Sequence, residues 1–329
     1  MILALADEDA AQRERYDPFV SGSWRVRERD FEAYDEARGR LFPCHVWYPE
    51  GAARPSPLIV FSHSSGGDRT STTYLCRHLS SHGYVVAAMD HSERVAPDLM
   101  RPDAEETAEQ RERRVEGMIA ARVPDVRFLI DDMLHGSSIG AAPIPDPDGI
   151  GIVGYSFGGW TALAAPDTEP RIRAVVALAP GGSSNPRPGI IPATLAFRWG
   201  RDVPTLYLVA EQDTALPLKE MFELFDRTPA TKRMVILRRA DHLHFVDDVE
   251  REHEAMRALP STGDLAWVAE MRPIGELCSA VSAHTFVRGL TLAHLDATLQ
   301  RDERAEGFLS GDIQAALAER TIEAVVHRP

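Results

Sequence analysis

The sequence predicts an α/β protein built on a mainly parallel sheet with helices on both faces. Three observations carry this expectation. Short continuous apolar runs, Leu58-Ile59-Val60-Phe61, Tyr84 to Met89 and Ala174 to Ala179, read as strands covered on both sides. Helical patterns separate them at the spacing of βαβ units. Between a strand opening at Asp148 and a helix opening at Trp160 stands Gly154-Tyr155-Ser156-Phe157-Gly158-Gly159. In a strand that reverses sharply into a helix, glycines let the flanking backbones pass closely, and the central serine is left exposed above the sheet.

Composition bounds the rest. The chain has 329 residues, 44% hydrophobic and 26% charged, as in a globular protein, and its net charge is −14. That balance argues against nucleic-acid partners, which need a basic face, and against adsorption to anionic membranes. No run of 18 apolar residues predicts a membrane span. Cys44, Cys76 and Cys278 have no metal-type spacing, and their odd number does not suggest a disulfide framework. Met1 to Ala11 carry Asp7, Glu8 and Asp9 in place of a basic leader, so the expected location is cytoplasmic. A single domain over 1–329 is expected, with residues 1–20 as a loose tail.

In chain order, Leu41 to Pro49 reads as a strand ending at a proline, and Leu58 to Phe61 as the next. The small-residue loop Ser62 to Gly67 follows, then a helix over Ser71 to Ser81 closed by Gly83. Ser92 to Ala121 is densely charged and reads as an exposed helical excursion. Pro124 and Asp125 open a helix with Val126, Leu129, Ile130, Met133 and Leu134 on one face. Strands follow the Ser156 helix at Ala174 to Ala179, Thr205 to Ala210 and Met234 to Leu237. Gly181 to Gly200 holds Ile190, Ile191, Leu195, Phe197 and Trp199 among prolines, as a pocket wall or lid or as ordinary packing. Residues 92–121 and 181–200 both leave carboxyl ends of strands and are candidate lid insertions. A long helix over Glu276 to Gln300, with Leu277, Ala280, Val281, Val287, Leu290 and Leu295 as its stripe, and two short helices complete the chain.

A serine hydroxyl is a weak nucleophile near neutral pH and needs a base, itself oriented by an acid. In this architecture the chain order is serine, acid, histidine. Asp213 directly follows the strand Thr205 to Ala210, whereas its rivals Asp202 and Asp226 read as surface carboxylates. Asp241-His242-Leu243-His244 follows the next strand and offers two histidines; His242 comes first and is preferred. The candidate oxyanion donors are the backbone N–H of Phe157 and one from the loop after Phe61, Ser65 ahead of Ser64. Ser64, Tyr155, Ile190, Leu195, Phe197, Trp199 and His244 are candidate pocket residues. No phosphate loop, dinucleotide fingerprint or metal spacing competes, so no metal site is expected.

With these residues in view, the chain resembles the α/β-hydrolase superfamily, and within it the serine esterases grouped with dienelactone hydrolases and platelet-activating factor acetylhydrolases. The resemblance runs from about Cys44 onward. It rests on Val46-Trp47-Tyr48-Pro49, Ile59 to Gly67, Ser81 to His91, Gly154 to Gly159 and His242 to Asp247. It implies hydrolysis of a small-molecule carboxylic ester through an acyl-enzyme, with no cofactor and with short acyl chains preferred. Polyester hydrolases, thioesterases and peptidases share the order of groups, and a binding protein that kept the fold without turnover is the rival outside the enzymes. Two departures stand out. Plasma-type acetylhydrolases take their acid near the position of Ala179-Pro180, where this chain has no carboxylate; dienelactone hydrolases use cysteine where Ser156 stands.

Overall fold

The computed structural model describes residues 16–52, 55–101, 105–135 and 143–328. Among these, nine strands form one sheet. They are β1 (Val26–Asp35), β2 (Arg40–Pro49), β3 (Ser56–Ser62), β4 (Val85–Met89), β5 (Pro145–Tyr155), β6 (Ile172–Leu178), β7 (Thr205–Ala210), β8 (Lys232–Leu237) and β9 (Ala324–His327), in spatial order β1-β2-β4-β3-β5-β6-β7-β8-β9. Pairing is parallel from β4 through β8 and antiparallel at both edges.

The apolar runs are continuous because the sheet is covered twice. Successive strand residues point to opposite faces, so Leu58 and Val60 of β3 join one core while Ile59 and Phe61 join the other. The first face is covered by helices α3 (Ala108–His135), α4 (Phe157–Ala164) and α5 (Leu218–Arg227). The second is covered by α1 (Thr73–Ser81), α7 (Ala280–Leu295), α8 (Glu303–Ser310) and α9 (Ile313–Ala318). Two further helices, α2 (Ser92–Val95) and α6 (Val249–Arg257), sit in the connections after β4 and β8. No helix among the described residues is long and apolar enough to cross a membrane.

Several expectations are corrected. The charged segment before Arg40 contains β1, a ten-residue strand in which Phe31, Ala33 and Asp35 face inward. Residues 1–15 of the expected tail lie outside the described residues, but 16–19 are packed: Phe19 is buried and the Tyr16 hydroxyl donates to Asp296 at 2.8 Å, while Val20 is exposed. Pro124 does not open a helix; it lies inside α3, which begins sixteen residues earlier. Proline removes the N–H that would bond the Ala120 carbonyl. Burial of Met118 and Arg122 before it and of Val126 and Leu129 after it carries the helix across the gap. The excursion over 92–121 is only partly exposed, since Ser92, Ala96, Leu99 and Met118 are buried. The long C-terminal helix is shorter, Ala280–Leu295 with a π-turn after it, and Val281 is 74% exposed instead of lying on the stripe. Strand β9 falls where no strand was expected.

Candidate active site

The site forms where β3, β5, β7 and β8 end. Ser156 follows β5 and caps α4 with φ 58° and ψ −115°, a left-handed-side conformation that costs of order 1–3 kcal/mol for a non-glycine residue. The surroundings enforce it. Its N–H donates to the Leu178 carbonyl at 2.9 Å, and its carbonyl accepts from Trp160 and Gly181, each at 3.0 Å. The flanking glycines are required by contact. A Cβ on Gly154 would lie 2.0 Å from the Gly158 carbonyl oxygen, and one on Gly158 would lie 1.9 Å from that of Ser62. The elbow is thus pressed against the loop that follows β3.

Three side chains converge. Ser156 Oγ lies 2.9 Å from His242 Nε2, and His242 Nδ1 lies 2.8 Å from Asp213 Oδ2. Asp213 is buried, and its second oxygen accepts the Leu216 N–H at 2.7 Å. The turn carrying Asp213 is tied to the one carrying His242, since Gln212 N–H donates to the Ala240 carbonyl at 2.7 Å. Burial disfavours the imidazolium of His242, but the Asp213 carboxylate and its hydrogen bond outweigh that, so its pKa sits above the ordinary imidazole value. The arrangement can deliver a hydroxyl proton to a base whose cationic form is stabilised in place.

Ser156 and His242 line a cavity of about 110 Å3. Trp160, Ile190, Ile191, Ala193 and Leu216 form its apolar walls, and backbone at Gly181, Gly182 and Gly189 closes it. Phe157 and Ser65 border the same space as Ser156. Phe157 opens α4, and a first-turn N–H has no acceptor within its own helix. A larger hollow of about 210 Å3 near Arg239 and Glu323 shares no lining residue with it.

Of the expected pocket residues, Ile190 lines the cavity and the others do not. Leu195 packs beneath Gly182, 2.8 Å from where a Cβ on that glycine would stand. Phe197 meets Trp199 edge to face, and Trp199 donates to the Leu163 carbonyl at 3.2 Å, so both belong to the core. Tyr155 is buried and donates to the His242 carbonyl at 2.7 Å. His244 is buried away from the cavity, with Nδ1 on Asp241 Oδ1 at 2.8 Å and Nε2 on the Cys278 carbonyl at 3.1 Å. Ser64 turns its carbonyl into the protein. Of the two candidate lids, 181–200 supplies much of the wall, while no residue of 92–121 lines the cavity. Sequence reasoning missed Trp160 and Leu216 as wall residues; each lies just after a catalytic candidate, on the turn or helix that Ser156 or Asp213 begins.

The chain superposes on a ferulic acid esterase from Streptomyces cinnamoneus with a TM-score of 0.59, at 21% identity, over 84% of this chain and 90% of that one. The fold is that of an α/β-hydrolase. Residues 49–120 of the chain match the family described as platelet-activating factor acetylhydrolase, isoform II. It is 26% identical over 232 residues to a platelet-activating factor acetylhydrolase of Cavia porcellus, covering 58% of this chain and 48% of that protein. A platelet-activating factor acetylhydrolase of Canis lupus familiaris is 30% identical over 157 residues, covering 37% of this chain and 34% of that one. The matches therefore span half or less of these relatives' own length.

Proposed function

We propose that the protein is a serine hydrolase of carboxylic esters with short acyl chains. Ser156 attacks the ester carbonyl while His242 takes its proton, Asp213 holds the imidazolium, and the Phe157 and Ser65 N–H groups receive the developing oxyanion. The alcohol leaves with the proton from His242. Water, activated by the same imidazole, then releases the acid from Ser156. The observation that carries this reading is the hydrogen-bond chain Ser156–His242–Asp213, 2.9 and 2.8 Å long, whose first two members line an apolar cavity. Ester hydrolysis is further supported by the likeness to two acetylhydrolases and by the esterase that shares the fold. Short acyl groups fit a cavity of this modest size, walled by Trp160, Ile190, Ile191 and Leu216.

The test is hydrolysis of p-nitrophenyl acetate, butyrate and octanoate by wild type and Ser156→Ala, with fluorophosphonate labelling of both. Turnover and labelling should vanish together in the variant, with a rate loss of about 10⁶. Full activity in Ser156→Ala would assign the wrong nucleophile. A wild type that neither turns over nor labels would make this a binding protein. Faster cleavage of acyl thioesters or aminoacyl amides would reassign the substrate class.

A further inference from the structure

Arg122 is wholly buried behind the site, on α3, and the proposed reaction gives it no step. Its Nη1 donates to the His63 carbonyl at 2.7 Å, and its Nη2 approaches the Ser64 carbonyl at 3.4 Å and the Glu93 carboxylate. Its guanidinium carbon also lies 4.3 Å from the centre of the Phe157 ring, whose other neighbour is the stacked Trp160. One side chain therefore touches both segments that carry the candidate oxyanion donors.

Peptide geometry gives this contact a direction. In a planar trans peptide the carbonyl of one residue and the N–H of the next point opposite ways, and no described peptide is cis. The Ser64 carbonyl is drawn inward by three donors: His63 Nδ1 at 2.7 Å, Gly67 N–H at 3.2 Å and Arg122. The Ser65 N–H must then point away from those donors, and Ser65 borders the same cavity as Ser156. His63 is wired for the same purpose. Its Nε2 accepts the His91 N–H at 3.1 Å, so its one proton sits on Nδ1 and points at the Ser64 carbonyl. Burial and the neighbouring Arg122 charge keep that ring neutral.

Stability alone is a poor reason for such a residue. A buried ion pair is often no more stabilising than apolar side chains of the same volume. Resting on the ester-hydrolase reading above, we propose that Arg122 is a positioning residue for the oxyanion hole, aiming the Ser65 N–H through the His63 and Ser64 carbonyls and seating the Phe157 end of α4.

The test compares p-nitrophenyl acetate with its thionoacetate analogue in wild type, Arg122→Met and Arg122→Lys. Donors aimed at an oxyanion serve oxygen better than the larger, weaker-accepting sulfur, so the oxo/thiono ratio of kcat/KM reports the alignment of the hole. Both rates come from the same molecules, which makes the ratio independent of how much variant is folded. For Arg122→Met, kcat on the acetate should fall about 10²-fold, KM should change little, and the ratio should drop at least about tenfold. Arg122→Lys, which keeps a donor for one carbonyl, should fall between. An unchanged ratio in both variants, with rates following the folded fraction by circular dichroism, would make Arg122 structural and overturn the proposal. A wild type that turns over neither ester would remove the hydrolase reading and this role with it, and is recognised separately because no Arg122 variant is needed to see it.

Discussion

Asp213 uses its two oxygens for different tasks: Oδ2 lies 2.8 Å from His242 Nδ1, and Oδ1 takes the Leu216 N–H at 2.7 Å. The carboxylate is thus fixed by backbone before it orients the imidazole. It also decides which nitrogen of His242 carries the proton, leaving Nε2 free to face Ser156 Oγ.

Asp213→Asn should lower kcat/KM by about 10³–10⁴, the scale on which a mis-set tautomer is felt in such triads. The pH profile gives the sharper reading. His242 must be neutral to act as base, and its pKa is raised above 6.5. Wild-type kcat/KM should therefore decline on the acid side with an apparent pKa above 6.5. In Asp213→Asn, with the opposing charge removed and burial left, that limb should move to lower pH. A limb that stays in place would exclude Asp213 as the partner.

Gly158→Ala should disturb the site without touching a reacting group. The added Cβ would stand 1.9 Å from the Ser62 carbonyl oxygen and 2.7 Å from that of His63, with no flexible side chain to yield. The elbow or the oxyanion loop must move. A displacement near 1 Å costs about 10²-fold in rate, and overpacking about 1–3 kcal/mol. Thermal denaturation alongside kcat/KM checks both, and a fully active, fully stable variant would contradict the contact.

Ile190→Ala with Ile191→Ala should lengthen the accepted acyl chain. Both side chains line the cavity, and the fit of one methylene in an apolar pocket is worth about 10–200-fold in specificity. The octanoate-to-acetate ratio of kcat/KM should rise at least tenfold. If chain-length preference is untouched, residues 181–200 are not the acyl wall.

The Asp241–His244 pair predicts a pH-dependent contribution to stability. His244 Nε2 faces the Cys278 carbonyl, and Nδ1 lies against both the Asp241 carboxylate and the Asp241 N–H, so it can give a proton to the first or accept one from the second, according to its charge. Burial pulls its pKa down, but Asp241 more than compensates and lifts it to about 10; the Asp241 carboxyl is held below its ordinary 3.8 by His244 and His253 despite burial. The histidine's contribution is complete below 6.5 and is lost as pH rises through about 10. The aspartate's is complete above 3.8 and is lost at lower pH. The urea-unfolding difference between wild type and Asp241→Asn should thus peak between about pH 4 and 6.5, at roughly 3–5 kcal/mol, and shrink toward pH 10. A difference flat across that range would deny the charge on His244.

What the sequence discloses of this architecture follows from periodicity. Strands covered on both faces, β3 through β8, each carry a continuous apolar core stretch and can be read directly. Strand β1 is hidden because its outer positions are charged, and only Phe31, Ala33 and Asp35 alternate inward. Strand β9 is four residues long, too short for a pattern. The positions of Ser156, Asp213 and His242 could be reached by counting strand ends. The cavity wall could not, because residues 181–200 have no regular structure, and apolarity does not separate Ile190 from the core residues Phe197 and Trp199. Arg122, one residue beyond the charged segment, belongs to no pattern in the sequence; only the fold turns it inward.

The hydrogen bond from the Tyr155 hydroxyl to the His242 carbonyl has a consequence in time. In the proposed two-step reaction, acylation consumes the Ser156 hydroxyl and with it the direct tie between serine and histidine. The link through Tyr155 joins the residue preceding the nucleophile to the backbone of the base, and no reacting atom takes part in it. Acylation in that scheme removes neither of its partners, so it would hold the imidazole in register for the incoming water, and the second half-reaction would start from the alignment left by the first.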